Sequence, residues 1–329
     1  MSRLLFKPIT PEAREIVTSF TLLSRLLFKP ITPEAREIVT SFTLHSYGQI
    51  CDLAFANLYG WAVKYETCYC VEDDSLFIRF SSPLRSHPAY LVPITRGEGC
   101  VGKAIGRLGR EAEEGGYPLV LMGVTPTCRE RLESNCPEAF TFLEDEGNAD
   151  YIYLRERLVT LSGKSLQSKR NHINKFEKTY PDYTYEPITP ANALECMALE
   201  QAWLEHHESE DGGEEKEQEV ILRLLTHLEE LQLSGGILRV GGEIVAFTLG
   251  SPINETTFGV HIEKANRDYD GAFTMINKLF ASTIPEQYIY VNREEDLGIE
   301  GLRRAKLSYK PELILPKIAA VRRHECKEY

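Results

Sequence analysis

The sequence predicts an α+β protein of two tandem lobes, each a mostly antiparallel mixed sheet flanked by helices. Three observations predict it. The tetrapeptide Pro-Ile-Thr-Pro occurs three times, at 8–11, 30–33 and 187–190. The run Phe77-Ile78-Arg79-Phe80-Ser81-Ser82-Pro83 is echoed, in the same order relative to that tetrapeptide, by Ala246-Phe247-Thr248-Leu249-Gly250-Ser251-Pro252. Each stretch then reads strand, helix, antiparallel strands, helix, strand, helix, strand by its hydrophobic periodicity.

Residues 2–22 and 24–44 are identical letter for letter, whereas the third copy has diverged to Tyr185-Glu186-Pro187-Ile188-Thr189-Pro190. A lobe has one place for its first strand and helix. The copy joined directly to the lobe closes the shorter loop, so residues 24–44 are expected to fill that place and residues 1–23 to be redundant. Within each copy a short apolar strand runs into Thr-Pro, which suits an N-cap and first helical residue. The strand expected at 90–95 is echoed at 258–263, the helix at 100–114 at 272–284, and the strand at 119–124 at 288–292. These elements put the first lobe at 24–162, a basic connecting helix at 163–180 and the second lobe at 181–329. In the second lobe Leu194, Met197 and Ala198 form one helix face, and Val220, Leu224, Leu225 and Leu228 another. Gly241-Gly242 between alternating strands signals a hairpin.

A chain of 329 residues with 43% hydrophobic and 26% charged residues is long enough for two domains with their own cores. It has no apolar run of the roughly 18 residues that a membrane span needs, and its first residues lack the apolar core of a signal peptide; the cytoplasm is the expected compartment. The eight cysteines show neither a CxxC pair nor metal-ligand spacing, so reduced thiols are expected. A net charge of −12 weighs against broad nonspecific nucleic-acid binding. The charge is uneven, however. Residues 205–219 carry eight carboxylates and one lysine, while Lys164, Lys169, Arg170, Lys175 and Lys178 face Glu177 alone. A local phosphate-binding track is compatible with an acidic protein.

Alternation along 258–263 puts His261 and Glu263 on one strand face, and along 288–294 it puts Tyr288, Tyr290, Asn292 and Glu294 on one face. The first lobe has Pro93, Thr95, Gly123 and Thr125 at about the matching places. Polar equipment is thus concentrated in the second lobe, with a solvated strand face as the alternative explanation.

The next segment, Asn292-Arg293-Glu294-Glu295-Asp296-Leu297-Gly298-Ile299-Glu300-Gly301-Leu302-Arg303-Arg304-Ala305-Lys306-Leu307-Ser308-Tyr309-Lys310-Pro311, runs from a strand end through an acidic turn into a cationic helix. With Lys169-Arg170-Asn171-His172-Ile173-Asn174-Lys175-Phe176-Glu177-Lys178, it resembles the domain-of-unknown-function family related to the C-terminal domain of phosphatidylglycerol lysyltransferase. More distantly it resembles the Fem-type peptidoglycan aminoacyltransferases. The resemblance covers most of the chain from about residue 45. It implies two tandem GCN5-related N-acetyltransferase (GNAT-like) lobes with the substrate channel chiefly in the second. It also implies transfer of an aminoacyl group from aminoacyl-tRNA to an amine or hydroxyl. The membrane half of the lipid-modifying members is absent, which weighs against a phospholipid acceptor.

Acyl transfer needs a nucleophile freed of its proton, and positive charge or donors where the carbonyl oxygen becomes an oxyanion. The resemblance makes Lys306 the candidate for the second task, with Arg303, Tyr309 and Lys310 beside it in sequence and Asp296 in the turn before them. His261, Glu263 and Glu294 are candidates to hold an acceptor amine or take its proton, and Asn292 to orient a carbonyl. Lys169, Arg170 and Asn171 are candidates for phosphate contacts. Apart from the donor substrate no cofactor or metal is expected; His206-His207-Glu208 with Asp211 reads as a solvent-facing acidic loop. Gly97-Glu98-Gly99-Cys100-Val101-Gly102 fits GxGxxG, but the strand after it ends without an acid for a ribose. Arg96-Gly97-Glu98-Gly99-Cys100-Val101 only approaches an acetyltransferase pyrophosphate loop. The expected protein is a tandem-lobe acyltransferase with an aminoacyl donor. The alternatives are an acyl-CoA-dependent N-acyltransferase and a catalytically silent ligand-binding protein.

Overall fold

The structure is a computed structural model that describes residues 25–82, 85–97, 100–205 and 213–323. The first copy of the repeat, Glu98 and Gly99 of the glycine-rich loop, and His206, His207, Glu208 and Asp211 of the acidic loop lie outside the described residues.

Strand pairing builds two sheets. The first runs β1 (Lys29–Pro30), β2 (Cys68–Glu72), β3 (Ser75–Phe80), β4 (Ala89–Leu91), β6 (Val120–Val124), β15 (Ile318–Arg322), β7 (Phe140–Leu143), with β5 (Ile94–Thr95) on β3 beside that path. The second runs β9 (Thr184–Pro187), β10 (Ser234–Val240), β11 (Glu243–Pro252), β12 (Thr257–Ala265), β13 (Tyr290–Asn292), β8 (Asp150–Leu154), β14 (Leu313–Leu315). Read this way the two orders correspond strand for strand. Each holds a single parallel pair, β4 with β6 and β12 with β13, in an otherwise antiparallel sheet. The helices are α1 (Arg36–Thr43), α2 (Phe55–Gly60), α3 (Ala62–Tyr65), α4 (Cys100–Glu114), α5 (Pro126–Asn135), α6 (Arg155–Thr160), α7 (Gln167–Thr179), α8 (Cys196–Glu205), α9 (Gly213–Thr226), α10 (Ala272–Thr283) and α11 (Glu300–Ser308).

The two sheets exchange a strand. After β7 the chain crosses over, and β8 is inserted between β13 and β14; after β14 it crosses back, and β15 is inserted between β6 and β7. Sheet membership therefore departs from a boundary at 162. Local pattern carries no sign of this, because an apolar strand such as Asp-Tyr-Ile-Tyr-Leu suits the middle of either sheet. The basic segment between the lobes is helical over Gln167–Thr179. It forms α7, whose Ile173 and Phe176 are buried in the second lobe's core. A Cβ on Gly271 would lie 2.9 Å from the His172 carbonyl oxygen, so α7 packs tightly over the start of α10.

The second repeat copy occupies the first strand and helix of its lobe. β1 pairs with β2, and α1 buries Val39 and Phe42. Thr32 is extended ahead of Pro33, as a residue before proline should be, but its side chain makes no capping hydrogen bond and a 3-10 turn intervenes before α1. The Gly241-Gly242 hairpin takes positive φ at both glycines, +59° and +87°, the conformation of a two-residue turn with a right-handed strand twist.

One apolar cluster spans both lobes. Phe42, Leu53, Phe55, Leu58 and Tyr59 of the first lobe pack with Val220, Ile221 and Leu224 of α9 and with Phe247, Leu249 and Ile262 of the second sheet. Gly60 permits the approach, since a Cβ there would stand 3.0 Å from Val220 Cγ1. Lobes welded by a shared core and two exchanged strands hold their interface as fixed geometry. That interface carries one side of the site.

Candidate active site where two strands part

β12 pairs with β13 over three residue pairs, Thr257 to Gly259 against Tyr290 to Asn292, while β12 runs on to Ala265. Parallel strands that part in this way leave a wedge in the sheet between residues 260–263 and 293–295. The expected common face for His261 and Glu263 is overturned by a β-bulge. Gly250 pairs with Val260 and Leu249 with Ile262, so His261 is the extra residue and the alternation shifts by one. Phe258 and Val260 pack in the second lobe's own core, whereas Ile262 packs in the core shared with the first lobe. His261 and Glu263 consequently stand on opposite faces.

On the face toward the first lobe, His261 Nε2 lies 2.8 Å from Ser251 Oγ and Nδ1 2.9 Å from Glu294 Oε1. The His261 side chain is 1% exposed. Asn57 of α2 donates to the same Glu294 oxygen at 2.7 Å. Gly259 gives the ring its place, because a Cβ there would meet His261 Cε1 at 2.7 Å. Glu294 itself is held in the left-handed region, φ +60°, by its N–H donating to Asn292 Oδ1 at 2.7 Å; strain of this kind gathers at functional sites. Asn292 is fully buried and donates to Gln49 O at 2.7 Å and Asp150 Oδ2 at 2.8 Å. Its amide clamps the lobes together.

On the other face, Glu263 accepts from Arg293 Nη2 at 2.7 Å through Oε1 and from Asn277 Nδ2 of α10 at 3.0 Å through Oε2. The Arg293 guanidinium lies 4.7 Å from the Tyr309 ring centre, and the Lys169 ammonium lies 4.1 Å from the same centre. Burial would lower the Arg293 pKa, but the Glu263 carboxylate more than offsets it and the net direction is up. Lys169, half-buried, moves the other way: burial, then the neighbouring Arg293, push its ammonium down to about 8. Arg293 Nη1 and Asn277 Oδ1 are buried with no hydrogen-bond partner among the described residues. Lys306 is buried as well, and its ammonium donates to the Arg293 carbonyl and, at 3.4 Å, to the Glu294 carbonyl. Burial and then Arg293 lower its pKa. It fixes the backbone at the point where the chain leaves β13.

Of the other expected residues, Asp296, Arg303, Arg170 and Asn171 have structural partners. Asp296, fully buried, accepts from Tyr151 Oη at 2.6 Å, Arg303 Nε at 2.7 Å and Gly298 N at 2.8 Å, closing the turn before α11. Arg170 donates to the Leu161 and Gly163 carbonyls and to Gln167. Asn171 is exposed and accepts from Gln167 Nε2 at 2.9 Å. Lys310 is exposed at φ +57°.

Behind Glu294 lies a buried charge cluster that the sequence did not suggest. Lys317, just before β15, places Nζ 2.8 Å from Asp52, 2.9 Å from Asp150 and 3.4 Å from Glu295. It also stands 3.2 Å from Cys51 Sγ. Cys51, Asp150 and Glu295 are close enough together to hold a metal ion, but the cation they surround is this ammonium. Burial alone would lower the Lys317 pKa; the carboxylates, Asp52 foremost, raise it well above its usual value. Burial lifts Glu295 to about 7 in spite of Lys317. Asp150 opens β8 and Lys317 precedes β15, so the cluster joins the two exchanged strands at their entry points.

Sequence reasoning missed Ser251, Arg293, Asn277 and Asn57. Ser251 and Arg293 stood inside the segments that carried the duplication and the resemblance, while Asn277 was a single amide on an apolar helix. Asn57 belongs to the other lobe, and no spacing could link it to Glu294.

The family described as "Phosphatidylglycerol lysyltransferase, C-terminal" matches residues 46–321. The chain belongs to this family. A crystal structure of a conserved protein of unknown function from Bacteroides thetaiotaomicron VPI-5482 is 47% identical, with 91% of this chain and 100% of that one covered and a TM-score of 0.87. The structure of L-PGS from Bacillus licheniformis is 17% identical over 91% of this chain and 94% of that one, with a TM-score of 0.64, a likeness of fold. The fold is thus a pair of tandem GNAT-like lobes. An uncharacterized protein of Mycoplasmoides gallisepticum is 27% identical over 176 residues, 52% of this chain and 56% of that protein. The chain therefore spans about half the length of this curated relative. Among the described residues no helix is long and apolar enough to cross a membrane.

Proposed function

We propose that this protein transfers an aminoacyl group from an aminoacyl-tRNA to an amine or hydroxyl acceptor at the wedge between β12 and β13. The observation that carries this reading is the pair of unpartnered polar atoms on the Glu263 clamp, Arg293 Nη1 and Asn277 Oδ1. Leaving a buried donor or acceptor unpaired costs about 1–3 kcal/mol, so the pair favours a ligand that offers both complements. An aminoacyl ester does. Its α-ammonium matches Asn277 Oδ1 and the Glu263 carboxylate, and its carbonyl oxygen matches Arg293 Nη1.

As the acceptor attacks, the bond from carbonyl carbon to ribose oxygen breaks, and the proton lost by the acceptor passes to that oxygen. The guanidinium is fixed beforehand by Glu263 and stabilises the oxyanion that forms in between. Lys169 stands over Tyr309 on the same face, on a helix that also carries Lys175 and Lys178. This supports phosphate contacts of the donor on the α7 side. The family description supports an aminoacyl donor; the sequence shared with the lysyltransferase is too low to carry over its lipid acceptor.

The test pairs filter binding of charged tRNA over a salt series with calorimetry of acetyl-CoA. The expected result is a tRNA complex that weakens steeply with salt, weak CoA binding, and loss of aminoacyl transfer in Glu263→Gln. Tight CoA binding without a salt-sensitive tRNA complex would overturn the aminoacyl donor in favour of acyl-CoA.

A further inference from the structure

The three lysines of α7 do not stand alike. Lys169 falls on the helix face of the buried Ile173 and Phe176, so its stem runs inward. Lys175 and Lys178 are exposed on the opposite side, and Lys175 pairs with Asp270 at 2.5 Å. A polyanion passing over α7 meets that outer pair. Lys169 serves the clamp beneath.

This ammonium is held without a counterion. Among the described residues the Tyr309 ring is its only partner, and no carboxylate pairs with it. The Arg293 guanidinium lies against the same ring. Glu263, the carboxylate that acts on Lys169 through space, has both oxygens taken by Arg293 and Asn277. Burial and Arg293 push the ammonium down to about 8, and its place in the first turn of α7 disfavours a cation further. Two cations against one engaged carboxylate favour a ligand with negative charge. The clamp is open to one: Arg293 and Glu263 keep 12% and 13% of their side-chain surface, against 1% for His261 on the opposite face.

We propose that the donor carries an acidic side chain, aspartyl or glutamyl, and that Lys169 selects it by pairing with the side-chain carboxylate. The inference rests on the aminoacyl-transfer reading; what it adds is the side chain. The α-ammonium of the ester goes to Asn277 Oδ1 and Glu263, and its carbonyl oxygen to Arg293 Nη1. That α-ammonium adds a positive charge to a place that already has a surplus, so the bound ester is balanced best by a negative charge of its own. The remaining substituent of Cα turns toward Tyr309 and Lys169, where a carboxylate one or two methylenes away meets the unpaired ammonium. A lysyl side chain would bring a further cation beside Arg293 and Lys169, while Glu263 is already engaged.

The experiment charges one tRNA body with different amino acids, which holds phosphates and bases constant, and measures binding to the full-length protein by filter retention at one low salt concentration. Aspartyl and glutamyl esters are expected to bind at least about tenfold tighter than asparaginyl and glutaminyl esters, the size of one hydrogen bond to a charged group, with the lysyl ester weakest. Lys169→Met should bring acid and amide esters to equal affinity, and Lys169→Glu should place lysyl above aspartyl. Equal binding of aspartyl and asparaginyl esters by the unaltered protein, both above uncharged tRNA, overturns the proposal and leaves the aminoacyl donor standing; a preference for lysyl does the same. So does Lys169→Met if it weakens uncharged tRNA as much as the aspartyl ester, because the ammonium then meets phosphate. Charged tRNA that never binds better than uncharged tRNA, whatever the amino acid, removes the aminoacyl donor and the side-chain choice with it. The comparison of acid with amide on the unaltered protein needs no variant, so a folding defect in a Lys169 variant would not obscure the answer.

Discussion

The two lobes lay seven strands in the same order, yet only one arms the place where its parallel strands meet. In the first lobe β4 and β6 pair at Tyr90 with Leu121 and Leu91 with Met122. Tyr90 is fully buried among Phe77, Leu108 and Ala320, and its hydroxyl lies 2.8 Å from that of Tyr117. In the second lobe the corresponding strands part over His261, Glu263, Arg293 and Glu294. Topology supplies the same opening twice, and side-chain chemistry decides whether it becomes core or site. The first lobe is not a bystander, because Asn57 and Gln49 reach across to Glu294 and Asn292.

The comparison breaks most visibly at Lys317, where the lobes are tied rather than contrasted. Lys317→Met leaves Asp52, Asp150 and Glu295 without their cation, and breaking a buried pair costs about 3–5 kcal/mol. Thermal unfolding should show a large fall in Tm with both lobes melting in one transition. Two separated transitions would mean that the exchanged strands do not couple them.

The contrast sharpens at Lys306. Removing a buried donor from two backbone carbonyls costs about 1–3 kcal/mol, so Lys306→Met should lower Tm. If its remaining hydrogen faces the developing oxyanion, turnover should also fall by about 10² to 10³. Tyr90→Phe, at the parallel strand pair of the first lobe, should leave turnover unchanged. A Lys306 variant that loses stability but keeps full turnover would confine Lys306 to holding the backbone.

A smaller effect concerns pH. Glu295 has a folded pKa of about 7 against an ordinary value of 4.5, so the folded state holds the proton more tightly than the unfolded. Its contribution is fully present below the ordinary value and is lost as pH rises through about 7. Stability should fall across that window, and Glu295→Gln should flatten the slope. An identical pH profile in the variant would assign the slope elsewhere.

The smallest effect is expected from the repeat. Residues 24–44 already fill β1 and α1, so deleting residues 2–23 should change Tm by no more than an exposed surface change does, within about 0.5 kcal/mol. A large fall would show that the first copy has contacts of its own.

The sequence by itself determined the duplication, the α+β order within each lobe, the place of the second repeat copy and the family. Strand and helix periods are local, and a diverged repeat keeps them because each copy must bury the same faces. It also concentrated the polar candidates in the second lobe. Tertiary structure alone decided which of them meet. The bulge at His261 is one residue out of register with β11, and it moves His261 and Glu263 to opposite faces although their spacing says otherwise. The exchange of β8 and β15 depends on which sheet offers an unfilled middle position, a property of the assembled lobes that no strand's own residues encode. The Lys317 cluster and the Asn57 contact follow from that exchange and from the shared core. They join side chains more than 200 residues apart, and only the packing of one lobe on the other brings such partners within a hydrogen bond.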